Sequence, residues 1–144
     1  LDYGWYLQKQ VSADASNVTN VTVTDTEFKD NVAKGIYAEK LNNATFTDCN
    51  VINNGDLTWG NSCTYFKPWL AGIDINLKAG NYSNITFDGC TFTGNGTGAA
   101  KEGTALTIKG RDDGTTYGAF PASLSNVTIS NCIVTGNERG IRFG

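Results

Sequence analysis

The chain has 144 residues, a formal net charge of −3, 17 glycines, two prolines, and neither methionine nor histidine. That length fits one domain with an ordinary core, while the small net charge and intermixed signs argue against a nucleic-acid or polyanion binder. No apolar run approaches the roughly 18–20 residues of a membrane-spanning helix, so no membrane insertion is expected, and without His the commonest neutral-pH base and metal ligand is missing.

In chain order, residues 4–9 read first as a strand, and then a repeat begins. Four stretches align without a gap, 20–31, 43–54, 84–95 and 126–137, and each opens and closes on Asn. Within each stretch the alternation has period two, which is the signature of a strand. Val21/Val23, Ala44/Phe46, Ile85/Phe87 and Val127/Ile129 point inward, while Thr22, Thr45, Thr86 and Thr128 point outward. After a bend, Thr26, Cys49, Cys90 and Cys132 form an inward column, followed by Phe28, Val51, Phe92 and Val134. A further strand follows each closing Asn, at 35–40, 72–78, 104–109 and 140–143. The opening asparagines recur at spacings of 23, 41 and 42 residues. The first spacing is a bare circuit; the others add two long loop insertions, Asn54–Leu70 and Gly110–Leu124.

The repeat predicts an all-β, single-domain fold over residues 1–144, a β-solenoid of about four to five coils. Equivalent strands pair about 4.8 Å apart, so equivalent side chains stack into ladders. The closing residues Asn31, Asn54, Asn95 and Asn137 are expected to form an interior ladder at a turn, where Asn tolerates the left-handed backbone and its amide bonds the coils above and below. The chain resembles the right-handed parallel β-helix proteins of the pectin-lyase-like superfamily, most clearly over residues 126–141. That resemblance covers nearly the whole chain but implies a scaffold shared by lyases, glycosidases, epimerases, tailspikes and adhesins.

A chain without Met that opens at Leu1 predicts a removed leader or a segment of a longer polypeptide. Both ends fall in the same phase of the coil without a cap, so copies of itself or adjoining coils are the expected partners, and head-to-tail stacking would yield a filament. Sequons at Asn17, Asn20, Asn43, Asn81, Asn84, Asn95 and Asn126 predict N-linked glycans and an extracellular or cell-surface location; Asn95, as a ladder member, is expected to be buried and unmodified. Cys49, Cys90 and Cys132 lie in one column, where neighbours are within disulfide reach but buried free thiols serve equally as small apolar fillers. No zinc site is expected, and no cofactor beyond Ca²⁺ near Asp112 and Asp113, whose Asp-Asp-Gly run reads equally as a turn.

Function on a repeat scaffold sits in the inserted loops. Trp59, Tyr65 and Trp69 from the first, and Arg111 from the second, flank an outward strip containing Tyr37, Asp74, Asn76, Lys78, Thr107, Lys109 and Arg142. Ring faces beside a polar strip suit sugar binding, extracellular polysaccharide included, although the aromatics also read as loop anchors. Lys40, Lys78 and Lys109, at strand ends, read as solvated. A glycosidase needs two carboxylates, and Asp74 with Asp112 or Asp113 is the pairing the sequence offers; Lys109, Arg111 and Arg142 are the bases a lyase would use. Neither set has a diagnostic spacing. The leading expectation is therefore a structural module of a fibre or large surface protein, with a polysaccharide-active enzyme or a carbohydrate-binding adhesin as alternatives.

Overall fold

A computed structural model describes residues 1–9, 16–56, 69–98 and 102–144. Strand β1 (Tyr3–Leu7) is followed by four units of three strands. These are β2 (Val18–Thr24), β3 (Glu27–Lys29) and β4 (Lys34–Ala38); β5 (Leu41–Thr47), β6 (Asn50–Ile52) and β7 (Trp69–Leu77); β8 (Gly80–Asp88), β9 (Thr91–Thr93) and β10 (Glu102–Gly110); and β11 (Ala122–Ser130), β12 (Ile133–Thr135) and β13 (Arg139–Phe143). A six-residue helix, α1 (Gly114–Ala119), precedes β11.

Three parallel sheets result, ordered β1-β4-β7-β10-β13, β2-β5-β8-β11 and β3-β6-β9-β12. The aligned columns of the sequence are the register itself: Val23 pairs with Phe46 and Phe46 with Phe87, while Phe28 pairs with Val51 and Val51 with Phe92. All-β, stacked parallel sheets are the arrangement a β-solenoid requires. The core follows from that stacking. Phe46 and Phe87 are fully buried, with rings 4.8 Å apart and nearly coplanar in orientation. Each such side chain contributes about 1.5–3 kcal/mol on burial.

The Asn file is continuous. Asn31 Nδ2 donates to Asn54 Oδ1 at 2.7 Å, Asn54 Nδ2 to Asn95 Oδ1 at 3.0 Å, and Asn95 Nδ2 to Asn137 Oδ1 at 2.8 Å. Each of these oxygens also accepts the backbone N–H of the preceding member. Because the ladder fills the interior at the turn, the facing strand position must be small: a Cβ on Gly35 would lie 2.7 Å from Gly72 O and 3.1 Å from Asn54 Nδ2. Gly72 is equally tight, 2.5 Å from Ala105 O.

Two local expectations change. The left-handed turn residues are not the ladder asparagines but the residues before them, Asp30, Asn53, Gly94 and Gly136. The opening asparagines do not begin strands either. Asn20, Asn43, Asn84 and Asn126 lie inside β2, β5, β8 and β11 with φ between 51° and 59°, a backbone that Asn adopts more readily than most residues. The kink makes successive inward residues three apart instead of two, as at Leu41 and Ala44, both fully buried.

The cysteine column holds three free thiols, Cys49, Cys90 and Cys132. Each donates to the carbonyl two residues back, Thr47, Asp88 and Ser130, as Thr26 does to Thr24 in the first unit. Burial pushes the Cys90 thiol up to about 12, so it stays protonated and acts as a small apolar filler.

Candidate functional site

A groove of about 390 Å³ runs along the outward face of the five-stranded sheet, beside α1, within the roughly 300–1,000 Å³ range of small-molecule sites. Its floor comes from alternate residues of three neighbouring strands. Tyr37 on β4 and Glu39 just past its end stand beside Asp74 and Asn76 on β7, with Lys109 on β10 in the next rung. Trp69 opens β7 at one side, and Arg111 and Tyr117 close the other. Arg111 is fixed by its backbone: its N–H donates to Leu77 O, and its own carbonyl accepts from Ala122 N–H. The Tyr117 ring lies 4.1 Å from the Arg111 guanidinium and 5.5 Å from Lys78 Nζ.

Aromatic rings line the opposite end. Tyr6 and Tyr37 stack at 5.5 Å, Tyr3 lies 4.9 Å from Tyr6, and Lys34 Nζ sits 4.5 Å from the Tyr37 ring centre. The polar groups are tightly organised. Glu39 accepts from Tyr37 Oη at 2.6 Å, from Lys9 N–H at 2.7 Å and from Lys78 Nζ. Asn76 Nδ2 donates to Tyr37 Oη at 3.1 Å. Burial, reinforced by the Glu39 carboxylate, holds the Tyr37 phenol far above its ordinary range, so it remains a neutral donor.

The sequence-predicted residues separate clearly. Tyr37, Asp74, Asn76, Lys78, Lys109, Arg111 and Trp69 line the groove together. Arg142 lies one rung beyond and is paired with Glu102. Trp59 and Tyr65 lie outside the described residues. Asp74 is buried and ion-paired to Lys34, whereas Asp112 and Asp113 are exposed outside the groove lining, with Asp113 turned to Arg111 at 2.5 Å. The Arg111 guanidinium holds the Asp113 carboxyl below its usual value. Lys78 and Lys109 are not solvated strand ends: each is about 13% exposed and paired, with Glu39 and Glu102 respectively. Lys34, Glu39 and Glu102 were missed by sequence reasoning. For Glu39 a signal existed, since it lies two positions after Tyr37 and so on the same face.

Among the described residues, no group of three His, Cys, Asp or Glu side chains is placed to hold a metal ion, and no helix is long and apolar enough to cross a membrane. Asn17, Asn20, Asn43, Asn81, Asn84 and Asn126 are exposed, while Asn95 is fully buried, its amide shared between Val51 O and Asn137. The chain matches no family model, no curated protein and no solved structure.

Proposed function

We propose that this chain is a module of an extracellular surface protein or fibre, a right-handed parallel β-helix of the pectin-lyase-like kind, and that its groove binds carbohydrate. One observation carries the reading: aromatic rings (Trp69, Tyr117, Tyr6) flank a floor of carboxylates, amide and ammonium groups within one cavity. Sugar rings present C–H faces to aromatics and hydroxyls to polar groups, so a floor and wall of these two kinds complement them. The repeated ladders supply the rigidity. Floor residues come from adjacent parallel strands, so their backbone spacing is fixed by hydrogen bonds before a ligand arrives, which limits the ordering cost of binding.

Calorimetric titration with neutral and acidic tetrasaccharides tests the proposal. At least one should bind, and Trp69→Ala and Tyr117→Ala should each weaken it by about tenfold, the cost of losing one stacked ring, with the circular dichroism spectrum unchanged. Absence of binding across the panel, or variants that bind as the parent does, would remove the proposal.

The sequons make the module a glycoprotein in this reading. On secretion from a eukaryotic host, intact mass should show glycans removable by an N-glycosidase. Asn95→Gln should leave that mass difference unaltered, because the Asn95 amide is closed inside the ladder. A secreted chain of bare polypeptide mass would exclude glycosylation.

A further inference from the structure

The hydrogen-bond polarity of the groove is set from one residue. The Glu39 carboxylate only accepts, and it takes the Tyr37 hydroxyl proton. Tyr37 Oη is then left as an acceptor, so Asn76 must turn its Nδ2 towards it. That orientation points Asn76 Oδ1 away, and among the described residues it meets no donor. Two positions earlier on the same face of β7, Asp74 gives Oδ2 to Lys34 while its Oδ1 also meets none. Both side chains line the groove, and they are only 3% and 7% exposed. A buried acceptor without a donor costs about 1–3 kcal/mol, so the site gains from any ligand that brings donors.

The charges point the same way. Lys34, Lys78, Lys109 and Arg111 all line the groove, and each is held by a carboxylate: Asp74, Glu39, Glu102 and Asp113. An incoming anion would meet cations that are already neutralised, and two oxygens that repel it.

We infer that the groove selects a neutral, hydroxyl-rich sugar over a uronate, with ligand O–H groups donating to Asp74 Oδ1 and Asn76 Oδ1. The inference rests on the saccharide reading above and narrows it to a ligand class. The two oxygens have almost no free surface, so the entering sugar displaces side chains at the groove floor as it binds. Tyr37 is a positioning residue here: it acts on the ligand through the Asn76 amide.

The test compares neutral tetrasaccharides of glucose, galactose and mannose with tetragalacturonic acid, by calorimetry on the intact chain at one pH and salt concentration. The best neutral ligand should bind at least about tenfold more tightly than the uronate, one unsatisfied acceptor being worth that ratio. Tyr37→Phe removes the hydroxyl that orients Asn76, so its amide can rotate and offer Nδ2. The neutral-to-acidic ratio should then fall by about threefold or more, as expected for one neutral hydrogen bond. A merely structural role would weaken every ligand alike and leave the ratio unchanged, which would overturn the inference. Asn76→Asp provides the second check, since it keeps acceptors alone at that position and should widen the ratio; a narrowed ratio counts against the inference. Uronate binding as tight as the best neutral sugar overturns the selectivity and leaves carbohydrate binding standing. Binding of no tetrasaccharide overturns both.

Discussion

Replacing Asn54 by leucine is expected to cost about 3 kcal/mol or more, a large share of the roughly 5–15 kcal/mol that holds a domain folded. Asn54 is fully buried at an interior rung. Its Oδ1 receives both the backbone N–H and the Nδ2 of Asn31, and its own Nδ2 donates to Phe28 O and Asn95 Oδ1. Leucine matches the volume but leaves the Asn31 backbone N–H without its acceptor and takes one hydrogen bond each from Asn31 Nδ2, Phe28 O and Asn95 Oδ1, all inside the packed turn. The amides also run head to tail, so each polarises the next and the loss is not confined to one rung. Asn137 is the control. It makes the same pair of bonds to Asn95 but is only half-buried, so water can reach groups that the change unpairs and Asn137→Ala should cost clearly less. Urea denaturation of both variants checks the order, and equal costs would mean that the ladder is not the element holding the turn.

The ladder was legible in the sequence because stacking in register converts a spatial column into a repeated residue type. Asn31, Asn54, Asn95 and Asn137 face one another across a strand spacing, so the same amide must recur for donor to meet acceptor. The hydrophobic columns follow the same logic through Phe46 and Phe87. The groove was legible only by halves. Period-two alternation put Tyr37, Asp74, Asn76 and Lys109 on the outer face, which is a local property of each strand. What it could not give was pairing. Lys34 meets Asp74 across 40 residues and Lys78 meets Glu39 across 39, and opposite charges on different rungs leave no repeated letter to read. Asn20 and its equivalents misled for a different reason. A left-handed residue inside a strand resets the alternation, so each pattern appeared to start where it was only kinked. Helix α1 is too short to show a helical period, and the Asp-Asp-Gly before it reads as a turn.

The second large effect is expected at the Lys34–Asp74 pair. Both side chains are 4% exposed, on the outward face of the sheet but beneath the groove. Lys34→Met should cost about 3–5 kcal/mol, because it leaves a carboxylate buried with neither oxygen partnered. Adding Asp74→Leu should recover most of that loss, since apolar residues of similar size can replace a buried ion pair at little net cost. By contrast, Lys29→Met should barely register: Lys29 pairs with Glu27 at 2.9 Å, but both are about half exposed, where water screens the attraction. The double variant separates folding from recognition. It restores a stable sheet while deleting one of the two acceptors that the groove offers, so stability should return without saccharide affinity. Thermal melting and titration on the same sample read the two quantities. If the double variant regained both, Asp74 would be a residue that only holds the sheet, and the case for its oxygen as a ligand contact would fall.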